Sequence, residues 1–266
     1  MIGRAVRNCS VFLFSVFFLI SCGGGGSSNL PRSPLPDYTI SGKAYIGNVN
    51  NATISLYPFI DGVRGNLITT TNTSEDGTYN LTTNNTNDTL LVCMTDGRYT
   101  EPYTGTTLSL IDTDELCASF VNTPSKDSNV SISYYSHIAY GLSQYRVSVN
   151  EKSPIQTAND TISAWVGFDI IKTLPSDVTL FVEGATLNEA YIAGFSNAAI
   201  SVLSTTIKST SLDIAVKAYH DIKYDGLLDG KDANGSYALI STKTYRHNTA
   251  LNMLVVANSL KNSSNI

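Results

Sequence analysis

The spacing of apolar residues changes once along the chain, near Ser125. This change limits the folds that the chain can adopt. Before that point, short runs such as residues 52–57 alternate apolar and polar side chains, which is typical of half-buried strands. After it, apolar residues recur three and four positions apart, as on one face of an α-helix. The sequence therefore predicts an α+β protein of two domains, with strands first and helices second.

The first domain is predicted over residues 38–122 as a β-sandwich of seven short strands. Thr, Val, Ile and Tyr are abundant there, and turn pairs such as Asp76-Gly77 and Asp96-Gly97 separate the runs. Strands this short and numerous favour two packed sheets over a barrel with a ligand cavity. Tyr45, Tyr99 and Tyr103 are expected in or near loops, where either a contact surface or core packing is open to them.

The second domain is predicted over residues 130–262 as an all-α bundle of about five helices. The apolar stripes are Ile132, Tyr135, Ile138, Ala139 and Leu142; Ile155, Ala158, Ile162 and Trp165; Leu187, Ala190, Tyr191, Gly194, Ala198 and Val202; Leu212, Ala215, Val216 and Tyr219; and Leu251, Leu254, Val255 and Leu260. Residues near the expected N-caps are Ser131, Ser153, Thr186 and Ser211. Pro154 fits a first helical position.

The N-terminus has the pattern of an export signal. Two arginines precede the apolar run 11–20, which is too short to span a bilayer as a helix. The run ends in Leu19-Ile20-Ser21-Cys22, which resembles the lipobox of bacterial lipoproteins. The resemblance implies that residues 1–21 are removed, that the Cys22 sulfur receives a diacylglyceryl group and that the new amine is acylated, with palmitate for example. An ordinary secretory signal with an incidental Cys22 is the alternative.

Residues 22–37 are expected to form a linker behind the lipidated Cys22. They are rich in Gly and Ser and then in Pro, so the tether is flexible at first and stiffer further on. Two or more acyl chains make membrane attachment stable, so the membrane is an expected partner through the anchor. The next residue is Gly23 and not Asp, which by resemblance to lipoprotein sorting in Gram-negative bacteria implies the outer membrane.

Cysteine usage is consistent with export. Of the four cysteines, Cys9 lies in the removed segment and Cys22 is the lipid site, which leaves Cys93 and Cys117. Disulfides persist in the oxidising compartments that an exported protein enters. Both residues lie in strand-like runs, and neighbouring strands would bring them within bridging range. We expect a disulfide here, with two separate buried thiols as the alternative.

Three strand motifs follow one another in a recognisable order: residues 40–47, residues 51–57 and residues 73–81, the last reading Thr-Ser-Glu-Asp-Gly-Thr-Tyr-Asn-Leu. This order is similar to that of the carboxypeptidase regulatory-like domain, and the resemblance covers about a third of the chain. It implies a transthyretin-like β-sandwich. Such domains are usually non-catalytic and serve as a stalk, spacer or binding module on secreted and surface proteins.

An acidic segment after the fourth helical stripe resembles an EF-hand loop. Asp221, Asp225 and Asp229 fall at loop positions that supply oxygen ligands to Ca²⁺. Lys223 stands where an oxygen is expected, and Asp232 is shorter than the usual Glu. The alternative is a helix-ending loop whose Asp side chains bond to the backbone. Calcium is the one cofactor that the sequence suggests.

No set of residues has the spacing of a catalytic site. His137, His220 and His247 lie in separate predicted helices, and no nucleophile is placed beside any of them. Ser196 stands in a sequence that faintly resembles a nucleophile elbow, but it falls within a predicted helix and not after a strand. We therefore expect no catalytic residues.

The composition of the chain limits the classes of partner that it can bind. Lys and Arg number 17 and Asp and Glu 22, for a net charge of −5, and the absence of a basic run argues against nucleic acid. We expect a lipid-anchored, non-catalytic protein of the cell envelope, in which a sandwich spacer presents the helical domain to a protein or glycan partner. The alternatives are a hydrolase with its site in the helical half and a calcium-responsive adhesin.

Overall fold

The computed structural model describes residues 36–111, 114–181, 186–233 and 235. Within these residues the chain is α+β, as the sequence predicts. The strands are β1 Tyr38–Tyr45, β2 Val49–Asn50, β3 Thr53–Ile60, β4 Val63–Arg64, β5 Thr69–Asn72, β6 Thr78–Thr83, β7 Thr89–Thr95, β8 Arg98–Thr100, β9 Thr107–Ser109, β10 Leu116–Val121, β11 Ser128–Asn129 and β12 Ile132–Ser133. The helices are α1 Tyr134–Ser148, α2 Pro154–Val166, the 3₁₀ turn Val178–Leu180, α3 Glu189–Ile207 and α4 Ser211–Asp225. Cys22, His247 and the fifth apolar stripe lie outside the described residues.

The strands form three small sheets. In the first, β1 pairs with β6 on one side and with β11 and β12 on the other. The second has the order β10-β7-β3-β4, with β5 also paired to β3, and the third has the order β2-β8-β9. The predicted sandwich region holds ten strands instead of seven, because β2, β4, β8 and β9 have only two or three residues. Such short strands cannot show a period-two pattern in the sequence.

Strand β1 connects the two halves of the chain. Ile40 is in register with Ser128 in β11 and Ala44 with Ile132 in β12, both in parallel, while β6 runs antiparallel on the other side. The chain passes so close between β11 and β12 that a Cβ on Gly42 would lie 1.8 Å from the Val130 carbonyl oxygen. Glycine is therefore required at this point of the strand.

One hydrophobic core contains side chains from strands and helices together. Its strand members include Ile40, Ile54 and Val92, and its helix members include Ile138 and Ala215, each at most 1% exposed. The described residues all belong to one compact unit, so the predicted division into two domains is not confirmed. The reason is that β11, between the two predicted domains, and β12, within the second, both pair with β1 and lead directly into α1.

The helices begin within two residues of the positions predicted from the sequence. Ser153 is the N-cap of α2 and Pro154 its first residue, as expected. The N-caps of α1, α3 and α4 are Ser133, Asn188 and Thr210, in place of Ser131, Thr186 and Ser211. In α1 the Ser133 hydroxyl accepts from the Ser136 backbone and the Ser136 hydroxyl accepts from the Ser133 backbone, which forms a capping box.

By length and composition, α3 is able to cross a membrane. However, 67% of its most apolar window is buried inside the protein. Ala193, Ala198 and Ala199 along it are fully buried. These properties are those of a core helix, in which small residues allow close approach of neighbouring chain segments.

The two serine N-caps provide a direct test of how the helices are stabilised. Ser133 makes reciprocal capping bonds, whereas Ser153 is exposed and makes no side-chain capping bond. We expect Ser133→Ala to lower the free energy of unfolding by about 1 kcal/mol. The matched Ser153→Ala change should alter it by less than about 0.5 kcal/mol. Urea denaturation of both variants measures this, and equal losses would contradict the assignment.

Candidate functional site

A cleft of about 380 Å³ opens where distant parts of the chain meet. Its walls come from the end of β1 and the turn after it, from the β8–β9 hairpin and from the segment that leads into the 3₁₀ turn. Polar side chains in the walls include Tyr45, Asn48, Glu75, Arg98, Glu101 and Asp177. The volume lies at the small end of the range for pockets that bind small molecules.

A glycine turn shapes one wall of this cleft, which we call the Tyr45 cleft. Gly47 has a φ of +92°, and Tyr45 and Asn48 form an isolated antiparallel bridge across the turn. A Cβ on Gly47 would lie 2.0 Å from the Thr100 carbonyl oxygen at the end of β8. Only glycine therefore lets the turn lie against β8, where Val49 pairs with Tyr99.

Glu101 fixes the opposite wall to the start of α4. Its side chain is 3% exposed. Its Oε1 accepts a hydrogen bond of 2.9 Å from the Ser211 backbone N–H, and its Oε2 accepts one of 2.6 Å from the Ser211 hydroxyl. A carboxylate is favoured at a helix N-terminus, where backbone N–H groups are free. Glu101 thus joins residues 110 positions apart in the sequence.

A charged network lies beside the Tyr45 cleft. The Asn48 side-chain amide donates to Asp177 Oδ2 at 2.8 Å, and the Thr179 backbone N–H donates to Asp177 Oδ1 at 2.9 Å. The Lys43 ammonium is 5.1 Å from the centre of the Tyr45 ring. Burial lowers the pKa of Lys43, and the charges of Asp76 and Asp177 oppose that change. Asp177 is therefore the residue on which the network converges.

Two buried polar atoms of the Tyr45 cleft have no hydrogen-bond partner. They are the hydroxyl of Tyr45, a residue only 1% exposed, and the Asn48 side-chain oxygen. Burial raises the pKa of Tyr45, and the charge of Asp177 adds to this rise. The Val178 backbone N–H, directed at the phenol oxygen, has a smaller opposing effect on that pKa, and the hydroxyl proton itself has no acceptor among the described residues. The hydroxyl therefore keeps its proton and remains free to donate it.

A second cleft, of about 310 Å³, lies between β10 and α2. The Asn159 amide nitrogen there donates to the Ser119 carbonyl at 2.9 Å, and its side-chain oxygen has no partner. Gln156 and Asp160 also line it. The Ser128 hydroxyl at its wall is likewise buried without a partner, so the two clefts have equal numbers of such atoms. We treat the Tyr45 cleft as the principal candidate site because it is the larger and also contains the buried carboxylate of Glu101.

Cys93 and Cys117 lie opposite each other in β7 and β10, with Cα atoms 4.0 Å apart and sulfurs at bonding distance. Both are at most 1% exposed. The predicted pairing of these two residues therefore agrees with the structure. Among the described residues, one group of metal-ligand type has three ligand atoms within 4.8 Å of one another, formed by these two sulfurs and Glu115. Because the sulfurs are bonded to each other, they are not free thiolate ligands.

His137 lies beneath the disulfide and is 4% exposed. Its Nδ1 accepts a 3.0 Å hydrogen bond from the Cys117 backbone N–H, and its ring stacks on Tyr219 with centroids 4.6 Å apart. Burial lowers the pKa of His137 to about 3, and the nearby His220 adds to that effect. In the described part of the chain, neither histidine is hydrogen-bonded to a serine, cysteine or carboxylate side chain. His137 is therefore a neutral hydrogen-bond acceptor for the sheet.

The three aspartates of the expected calcium loop lie at the end of α4. Asp221 is fully buried, and its carboxylate accepts hydrogen bonds of 3.0 and 3.1 Å from the backbone N–H groups of Gly230 and Lys231. Burial raises the pKa of Asp221 to about 6 against the effect of these two amides. Asp225 and Asp229 each accept a bond from a backbone N–H two residues further on.

These bonds are those expected if the segment is a helix-ending loop whose Asp side chains bond to the backbone. Helix α4 continues through Asp225, and Gly226 with a φ of +80° ends it, so the first five positions of the supposed loop are helical. Calcium binding by Asp221, Asp225 and Asp229 stays a prediction. Ser196, as expected, lies within α3.

The sequence singled out only part of the Tyr45 cleft. Tyr45 and Tyr99, for which core packing was one of the open interpretations, are buried at 1% and 2% exposure in β1 and β8. Tyr103 is the exposed member of the three. Asn48, Glu101 and Asp177 were not anticipated, because no local pattern links residues so far apart in the chain. The Gly47 turn is the one local signal for this wall of the cleft.

Comparisons with known proteins identify no relative. No protein-family model and no curated protein matches the chain. A solved structure with partial similarity is that of a 9R-lipoxygenase from Cyanothece PCC8801, at 10% identity and a TM-score of 0.23. The match covers 47% of this chain and 24% of the lipoxygenase chain, so this chain spans about a quarter of that enzyme's length. This score does not indicate a common fold, and no property of the lipoxygenase is carried over.

Two glutamates of the Tyr45 cleft should differ in how much they contribute to the stability of the fold. Glu101 is buried and accepts three hydrogen bonds, two from Ser211 and one from the Tyr99 hydroxyl, whereas Glu75 is exposed. We expect Glu101→Gln to lower the free energy of unfolding by about 1–3 kcal/mol, because one donor of Ser211 loses its acceptor. The matched Glu75→Gln change should stay within about 0.5 kcal/mol. Thermal unfolding of the two variants measures the difference, and a stable Glu101→Gln protein would contradict the anchoring role.

The buried His137 makes stability depend on pH. Its folded pKa of about 3 lies below the ordinary value of 6.5, so the unfolded state takes up the proton first as the pH falls. The stabilisation is complete above pH 6.5 and is lost towards pH 3, with about 2 kcal/mol gone at pH 5. We expect His137→Gln to be less stable at pH 7 and to lose less stability between pH 7 and pH 5. Equal losses over this interval in both proteins would contradict the assignment.

Proposed function

We propose that the protein is an exported, lipid-anchored, non-catalytic protein of the cell envelope that holds an envelope or extracellular ligand in the Tyr45 cleft. The observation that carries the proposal is the pairing of Cys93 and Cys117 across two neighbouring strands. Disulfides persist in exported proteins and are rare in the reducing cytosol. The bonded pair is therefore consistent with the export signal at the N-terminus.

The lipobox-like segment supports an anchor at Cys22. Residues 23–37 would then separate the folded body from the lipid, reaching about 50 Å at full extension. The outer membrane is the location that Gly23 favours in a Gram-negative host. The similarity of residues 40–81 to a carboxypeptidase regulatory-like domain supports a binding or spacer role over catalysis.

The sequence placed the binding role in the helical half, and the structure suggests a different place for it. The walls of the Tyr45 cleft come from the strand region and from the segment before α3. Since both halves share one core, a spacer that carries a separate binding domain does not describe the body well. We therefore place the ligand at the junction of the two halves.

A hydrolase remains the alternative function. In the form that the sequence suggests, one of the three histidines would act as the general base, accepting a proton from a nucleophile at neutral pH. The Nδ1 atom of His137 already accepts a backbone N–H, and the ring is buried between the sheet and α4. This arrangement favours the binding function over the hydrolase.

The anchor is tested with the two N-terminal cysteines as a matched pair. We expect Cys22→Ala to move the protein out of the membrane fraction, because the diacylglyceryl group has no sulfur to join. Cys9→Ala lies in the removed segment and should leave the protein in the membrane. Cell fractionation and mass spectrometry of the mature N-terminal peptide measure both effects. An unlipidated wild-type peptide from correctly exported protein would overturn the proposal.

A further inference from the structure

We infer that the Tyr45 cleft binds a neutral, hydroxyl-rich ligand, namely a sugar of one or two rings; this inference rests on the binding function proposed above. It begins with the Tyr45 hydroxyl. The residue is 1% exposed and lines the cleft, and its hydroxyl proton has no acceptor in the described structure. Buried polar groups are nearly always paired, so an unpaired one at a cleft wall requires an explanation. A ligand atom that accepts from this hydroxyl provides one.

The cleft also offers a free acceptor. The Asn48 amide nitrogen is held by Asp177 at 2.8 Å, which leaves the Asn48 oxygen without a partner. The cleft thus presents one buried donor, on Tyr45, and one buried acceptor, on Asn48. A hydroxyl group is both a donor and an acceptor, so a ligand with several hydroxyls satisfies both.

The charges around the cleft favour a neutral ligand. Carboxylates of Glu75, Glu101 and Asp177 line it and would repel an anion. The Arg98 guanidinium at the wall and the nearby Lys43 ammonium over the Tyr45 ring offset much of the attraction that these carboxylates have for a cation. A ligand without net charge is repelled by neither kind of group, and its hydroxyls donate to the carboxylates and accept from the guanidinium.

The size and shape of the cleft agree with a small cyclic ligand. Its volume of about 380 Å³ is at the lower end of the range for small-molecule sites. The buried ring of Tyr99 and the ring of Pro102 give it apolar wall surface. Sugars combine an apolar ring face with a rim of hydroxyls, which matches walls of mixed character.

The experiment is calorimetric titration of the full-length protein in a detergent without sugar headgroups. The probes are D-glucose, D-galactose, D-mannose, N-acetyl-D-glucosamine and their β-1,4-linked disaccharides, with inorganic phosphate and choline as charged probes. We expect at least one sugar to bind saturably with a dissociation constant of about 1 mM or lower. Tyr45→Phe should weaken that binding at least about tenfold, and Tyr224→Phe, on an exposed tyrosine of α4, should leave it unchanged.

A stability measurement separates a ligand-binding hydroxyl from a structural one. Tyr79 is also buried, but its hydroxyl donates to the Val130 carbonyl at 2.6 Å. Tyr79→Phe should therefore lower the melting temperature, whereas Tyr45→Phe should lower it much less, because the Tyr45 hydroxyl proton has no acceptor to lose. An equal loss in both variants would show that the Tyr45 hydroxyl is structural and would overturn the inference.

The remaining outcomes are equally decisive. Binding of no sugar, or sugar binding that Tyr45→Phe leaves unchanged, overturns the inference. Tyr45-dependent binding of phosphate or choline overturns the ligand class but supports the proposed binding function of the cleft. Failure of the anchor is seen separately, in the membrane fractionation of the Cys22→Ala protein.

Discussion

Strand β1 is the part of the chain on which the rest of the structure depends, because it is paired along both edges. Strand β6 lies antiparallel on one edge, and β11 and β12 lie parallel on the other. Parallel pairing requires the chain to return over a long connection before it meets β1 again. The return ends at Ser133, which caps α1. The helices therefore start from a sheet of the strand region and share its core.

The same arrangement builds the Tyr45 cleft. Tyr45 ends β1 and is in register with Ser133. On the opposite wall, Glu101 follows β8 and holds the first residue of α4. The two walls are thus fixed to the starts of two helices, and side chains held in this way lose little freedom when a ligand binds. The Tyr45 cleft therefore combines rigid walls with unpaired polar atoms.

The apolar spacing was sufficient to predict the four described helices, and the cysteine count was sufficient to predict the disulfide. Ile155, Ala158 and Ile162 repeat at helical spacing and are buried in α2, and Cys93 and Cys117 were the pair left once Cys9 and Cys22 had been assigned to the predicted export signal and lipid site. The single core was not predictable, because β11 and β12 have two residues each and carry no periodicity. The cleft was not predictable either, since Asn48 meets Asp177 across 129 positions through tertiary pairing alone.

Export is the central claim, and the state of the two cysteines in living cells tests it most directly. Cells that make the protein are treated with N-ethylmaleimide before lysis, and the protein is digested without reduction and analysed by mass spectrometry. We predict that the peptides of Cys93 and Cys117 are recovered linked to each other and unalkylated. Recovery of both as separate alkylated peptides would contradict export to an oxidising compartment.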